Sequence, residues 1–213
     1  MLAEARQAPQ AVADQLAHNA DDYRDFGAVL RLQNPAAVLT VARGSSDHAA
    51  HFLAYLVMAR MGRLVTSLPM SLITLYQSQI ACKGLVSLAF SQSGQSPDLV
   101  APTRFFSEGG AVTAAFVNKA DSPLAQAAQW VFPLHAGIEA SVAATKSYIA
   151  QLVAGARVVA AWQGDPELQS ALSKLPDDLA RAAQMDWSVA LDVLQGVDRL
   201  FVIGRGTGMP VAL

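Results

Sequence analysis

The chain has 213 residues, with 15 Lys or Arg against 17 Asp or Glu, a net charge of −2 and 53% hydrophobic residues. That length supports one large domain or roughly one and a half ordinary ones, with enough apolar material for a sizeable core. The near-neutral, well-mixed charge argues against a nucleic-acid or acidic-lipid surface, so neither nucleic acid nor membrane is expected as a partner. Cys82 is the only cysteine, which excludes an internal disulfide framework and a cysteine-based zinc site and predicts a buried thiol. Residues 1–20 carry Glu4, Arg6 and Asp14 without a continuous apolar block, so no secretory signal is read there. No run reaches the length of about 18 apolar residues needed to cross a bilayer. A soluble, cytoplasmic protein is expected.

Residues 9–32 read as helix, beginning at Pro9, with a possible break near Asn19 to Asp22. Ala11, Val12 and Leu16, then Tyr23, Phe26, Val29 and Leu30, form apolar stripes at helical spacing. Residues 37–42 are predicted as a buried strand that runs straight into Arg43-Gly44-Ser45-Ser46-Asp47. A helix over 46–61 closes at Gly62. Then come a strand over 64–68, a helix over 70–82 and a third strand over 85–90. Ser91-Gln92-Ser93-Gly94-Gln95-Ser96-Pro97-Asp98 leads into a helix over 98–108, with Ser96 as N-cap, Pro97 in the first turn and Asp98 complementing the positive helix end. A strand over 111–117 follows, then a short helix opened by Ser122-Pro123, and a fifth strand over 130–134. Helices are predicted over 142–162, from Asp165-Pro166, and over 176–195. Residues 199–203 read as a sixth strand, followed by Gly204-Arg205-Gly206-Thr207-Gly208.

Apolar strands alternating with helices indicate an α/β fold. The expected form is a three-layer α/β/α doubly wound parallel five-stranded sheet, with ligands at the carboxyl ends of the strands. The predicted division is a first domain over 1–163, a helical linker over 164–198, and over 199–213 the first strand and loop of an incomplete second domain. Both serine-rich loops follow strand ends. A helix that begins after such a loop offers free N–H groups and hydroxyls that can hold a phosphate without Lys or Arg, and Gly94 permits close approach. An ordinary polar loop capping an ordinary helix has the same composition.

Several named motifs fail. Gly204-x-Gly206-x-Gly208 lacks the glycine that a dinucleotide fingerprint needs at Met209. Neither a nucleotide P-loop nor a nucleophile elbow occurs. His48 and His51 have no evident third ligand, so no metal is expected, and no cofactor either. Lys146 reads as a Schiff-base amine or, more ordinarily, a surface or cap contact. Glu139, just before a helix, serves either a substrate or the helix dipole.

Four segments in order carry a resemblance: Ala42-Arg43-Gly44-Ser45-Ser46, Ser91 to Asp98, Asn118 with Ser122-Pro123-Leu124-Ala125, and Glu139-Ala140-Ser141-Val142-Ala143-Ala144-Thr145-Lys146. Together they resemble the sugar isomerase (SIS) family, nearest to the isomerase half of glucosamine-6-phosphate synthase and the SIS-type glucosamine-6-phosphate deaminases. The resemblance implies that Ser91, Gln92, Ser93 and Ser96 hold a sugar phosphate. It implies that Ser45 and Ser46 contact the sugar, with Val142 lining the pocket and Glu139 beside it. Ala144 stands where the synthase commonly has serine, which removes one sugar contact.

The implied activity is aldose–ketose isomerisation or deamination of an amino-sugar phosphate, with a homodimer as the expected assembly. In the relatives the catalytic glutamate, ring-opening histidine and Schiff-base lysine belong to a second SIS domain, so the residues here are expected to be mainly a binding half. No glutaminase region or cysteine nucleophile is found, which disfavours a glutamine-dependent synthase. The competing reading is a non-catalytic sugar-phosphate sensor. A DNA-binding helix-turn-helix would favour it, and none is found.

Overall fold

In the computed structural model, which describes residues 1–212, the apolar runs form one parallel sheet. Helices α1 (Leu2–Ala5), α2 (Ala8–Ala17) and α3 (Ala20–Gln33) precede β1 (Ala37–Val41), and α4 (Ser45–Met61) leads to β2 (Leu64–Ser67). After the short α5 (Ser71–Thr74) come β3 (Val86–Ser91), α6 (Pro97–Glu108), β4 (Val112–Val117), α7 (Pro123–Ala127) and β5 (Trp130–Pro133). The chain continues through α8 (Lys146–Gln163), α9 (Pro166–Ala183), α10 (Ser188–Leu194), a 3-10 turn at Gly206–Gly208 and α11 (Met209–Ala212). Strand order is β2-β1-β3-β4-β5, every pair parallel.

Side chains alternate across this sheet, and each face has its own core. On one face Val38, Leu88, Phe116 and Phe132 pack against Phe26 and Leu30 of α3, Leu53 and Val57 of α4, and Ala154 and Val158 of α8. On the other, Leu39, Val41, Ala89 and Val117 meet Leu99 and Phe106 of α6 and Leu124 of α7. So α4 and α6 lie on opposite faces. Cross-strand register places Phe90 opposite Phe116 and Phe116 opposite Phe132, and their rings stack at 4.5 and 5.2 Å. Such aromatic ladders contribute beyond the area they bury. A further layer, α2 and α9, packs on the outside of α8 through Val12, Val153 and Leu172. Cys82 is buried, and burial pushes its thiol pKa up.

The differences from the sequence reading have local causes. The helix expected over 70–82 stops at Thr74, because the chain turns through Gln77 at φ +50° and brings Ile80 and Cys82 to the core. No new helix opens at Pro176. Instead α9 runs through it, since Leu168, Leu172, Leu175 and Leu179 keep one apolar stripe on α2 and α8. The helix expected from 142 begins at Lys146, for reasons given below. No strand forms over 199–203. Those residues make no ladder bonds, and Phe201 and Ile203 are more than nine-tenths exposed at 91% and 92%, because no neighbouring strand completes the pairing.

Gly27 sets the approach of α3 to α8. A Cβ there would sit 2.5 Å from the Ala161 carbonyl oxygen. Gly27→Ala is therefore expected to destabilise the fold by about 2 kcal/mol, read as a lower urea midpoint. An unchanged midpoint would mean that the two helices separate freely.

Candidate functional site

Adjacent parallel strands whose helices diverge leave a crevice between their loops at the carboxyl end of the sheet. Here β1 and β3 are those neighbours, and the crevice lies between the loops 42–46 and 91–98. Arg43 ion-pairs with Asp98 across it, both partly in solvent. The pair contributes little stability but fixes how the loops face each other.

The loop after β3 is shaped by its own hydroxyls. Ser91, buried, accepts from the Gly94 N–H at 3.0 Å, and Ser93 accepts from the Gln95 N–H at 3.3 Å. Ser96 occupies the N-cap position of α6, yet its hydroxyl makes no capping bond. Its side chain is thus available to a ligand. Among the described residues the N–H groups of Ser96 and Asp98 meet no backbone acceptor, as the first turn of a helix requires. Gly94 has φ +64°, and a Cβ on it would lie 2.2 Å from the Ser122 hydroxyl. Glycine is needed here both for the turn and for contact with Ser122, which itself caps α7 by accepting from the Ala125 N–H.

Asn118, at the end of β4, ties the neighbouring loops together. Its N–H donates to the Gln92 carbonyl at 3.2 Å, its amide donates to Gly137 O at 2.6 Å, and its carbonyl accepts from the Ala136 N–H at 2.9 Å. Ser45 is exposed at the start of α4, and Ser46 is half-buried. Ser46 accepts from the Gln151 amide at 3.0 Å, which orients its hydroxyl and leaves the O–H to donate. A cavity of about 190 Å³ joins Ser45 and His48 to Ala144 and Tyr148 of the opposite wall, with Val211 at its edge. A larger cleft of about 480 Å³ lies among α2, α3, α8 and α9, away from these loops. Its buried Arg157 donates to the His18 carbonyl at 2.8 Å and covers the Tyr23 ring.

Glu139 settles where α8 begins. Its carboxylate accepts from the Thr145 N–H at 2.9 Å, the Thr145 hydroxyl at 3.0 Å, the Ser147 N–H at 3.3 Å and the Ser147 hydroxyl. Residues 138–145 therefore form a loop capped onto α8 rather than its first turn. Burial pushes the Glu139 pKa up, but hydrogen bonds from Ser147 and Thr145 outweigh it and hold the carboxyl below its ordinary range. Val142 is fully exposed on this loop. Lys146 is not a surface lysine. It is 4% exposed, and its ammonium donates to the Gln7 side-chain carbonyl at 2.7 Å. His51 is bonded to the Asp47 carbonyl, and no group of three metal-ligating side chains occurs among the described residues.

Gln151, Gln7 and Glu4 are the participants that sequence reading missed. Glu4 accepts from the Ala140 and Ser141 N–H groups at 2.7 and 3.3 Å. One signal was legible: a lysine in the first turn of a helix opposes the dipole and calls for a special partner.

A family profile described as SIS domain matches residues 31–161. The glutamine–fructose-6-phosphate aminotransferase (isomerizing) of Symbiobacterium thermophilum is 31% identical over 232 residues, covering 100% of this chain and 38% of that protein. The chain thus spans well under half the length of such curated relatives. Among solved structures, a candidate phosphosugar isomerase from Silicibacter pomeroyi superposes with a TM-score of 0.95 at 41% identity, over 99% of this chain and 64% of that one. The C-terminal domain of glucosamine-fructose-6-phosphate aminotransferase from Francisella tularensis gives 0.75 at 20% identity, over 98% and 63%.

Two expectations follow for the site itself. Gly94→Ala should lower stability by about 2 to 4 kcal/mol in denaturant unfolding, because it strains φ and displaces Ser122. The folded pKa of Glu139 lies below its ordinary 4.5, so the stability of the ionised form is present above that pH and is lost as pH falls through the folded value. Carbon-detected titration should place its midpoint below 4.5; a midpoint at or above that value contradicts the capping role.

Proposed function

The chain belongs to the SIS domain family, and from that premise we propose that it holds a sugar phosphate for an aldose–ketose amino-sugar-phosphate isomerase or a glucosamine-6-phosphate deaminase-like enzyme. The observation that carries this reading is the start of α6. There the Ser96 hydroxyl makes no capping bond and the N–H groups of Ser96 and Asp98 meet no backbone acceptor, in the loop that follows β3 beside the crevice between β1 and β3. A phosphate dianion fits such donors, with the helix dipole adding to them. Gln92, Ser93 and Ser91 complete the phosphate contacts, since Ser91 and Ser93 each accept one backbone N–H and keep an O–H to donate. The sugar then extends toward Ser45 and Ser46, with the 138–145 loop, including Val142, closing over it. Glu139 serves this loop as its anchor on α8.

Isomerisation moves a proton between the first two sugar carbons through an enediol, and deamination of an amino sugar starts the same way. Both require a general base within hydrogen-bond reach of the carbon acid. The Glu139 carboxylate is surrounded by donors of Thr145 and Ser147, so it is poorly suited to that task. As the family resemblance implies, the base is assigned to a second SIS unit, and the working form is a pair of units in the cytoplasm, as a homodimer or within one longer chain. The same engagement of Glu139 favours, as a second reading, a binding module without turnover.

Calorimetric titration with fructose-6-phosphate and glucosamine-6-phosphate, with a turnover assay on the same sample, separates these readings. Ser93→Ala and Ser96→Ala should each weaken binding by roughly 1 to 3 kcal/mol. Unchanged affinity in both variants would remove the phosphate assignment. Binding without turnover in the paired form would favour the module over the enzyme.

A further inference from the structure

The loop 138–145 has no regular secondary structure and no buried residue, so the hydrophobic core does not fix its position. Polar contacts do. Near its start Glu139 ties it to Thr145 and Ser147 at the head of α8. At its centre the consecutive N–H groups of Ala140 and Ser141 converge on one oxygen of Glu4, a residue 136 positions away in sequence from Ala140. Two successive backbone N–H groups make an anion cradle, and here a carboxylate of the same chain fills it. Gln7 reaches the same region by accepting from the buried Lys146 ammonium.

Helix α1 itself buries no residue. It therefore adds nothing to the apolar core, and its long-range polar contact is with this loop. A charged acceptor on two amide donors makes stronger bonds than neutral pairs do. The Ser141 hydroxyl, and after it the Ala140 N–H, hold the Glu4 pKa down to about 2, so the acceptor stays ionised throughout the neutral range.

We propose that the N-terminal segment is a clasp in which Glu4, assisted by Gln7, is a positioning residue that holds the 138–145 loop over the sugar end of the site. This rests on the reading that the loop lines that end. Releasing the clasp frees the loop and raises the ordering cost of binding, so sugar-phosphate affinity falls while the fold persists.

The test combines amide hydrogen exchange at Ala140 and Ser141 with the fructose-6-phosphate dissociation constant, in Glu4→Ala, Glu4→Gln and Ala140→Pro. The last variant removes one donor from the loop side without touching α1, and Ala140 is exposed. Expected are lost protection at both amides in Glu4→Ala and a dissociation constant raised about tenfold in Glu4→Ala and Ala140→Pro. Recovery of most of the affinity is expected in Glu4→Gln, which keeps an acceptor oxygen. The thermal midpoint should stay near that of the parent chain. Wild-type affinity in Glu4→Ala despite lost protection, or retained protection, overturns the clasp. Ser93→Ala is the control. If it weakens binding while Glu4→Ala does not, the clasp alone fails; if neither weakens binding, the site reading fails and the clasp falls with it.

Discussion

β1 and β3 lie side by side and parallel, and the chain leaves their carboxyl ends toward opposite faces of the sheet. Everything at the site depends on that divergence. Because α4 turns to one face and α6 to the other, the segments between strand and helix cannot cover the sheet edge between them, and a crevice remains. The same geometry puts the start of α6 beside the crevice and sets Arg43 against Asp98 across it. The core then makes the arrangement rigid. The Phe90, Phe116 and Phe132 ladder and the buried faces of α3, α4 and α8 fix the strand ends to which the loops are attached.

Above this frame the site is built from polar contacts between loops. Asn118 joins the turns after β3 and β5, Gly94 lets Ser122 close against the serine loop, and Gln151 orients Ser46 from α8. Carboxylates have a structural part. Glu139 and Glu4 each satisfy consecutive or neighbouring N–H groups that a chain entering α8 at this angle would otherwise leave unpaired. The donors left free at the start of α6 are a hydroxyl and main-chain N–H groups. On the function proposed above, such a receptor would gain its strength from geometry and helix polarity and would impose direction on a phosphate.

Much of this was legible in the sequence because it rests on local chemistry. Residues 85–90 are apolar but for Ser87, the pattern of a doubly covered strand, and Ser96-Pro97 and Ser122-Pro123 mark helix starts by capping and fixed φ. The failures share a cause, which is dependence on partners distant in sequence. Gln77 takes a left-handed backbone to return Cys82 to the core, and nothing in its own neighbourhood signals it. Pro176 sits inside α9 because the leucine stripe on α2 and α8 outweighs its missing N–H. Residues 199–203 have strand composition but no neighbour to pair with. Glu4 and Ala140 meet only once the fold is complete, so no spacing rule could link them. Val142, named from a motif, lies exposed on the 138–145 loop.

The central claim is that the crevice between β1 and β3 receives a sugar phosphate with its phosphate at the start of α6. Amide chemical-shift mapping during titration with glucosamine-6-phosphate tests it most directly. The largest shifts are expected at residues 93–98, with smaller ones at Ser45, Ser46 and the 138–145 loop. Saturable shifts confined to the cleft among α2, α3, α8 and α9, or no shifts at 93–98 when the ligand is bound, would contradict it.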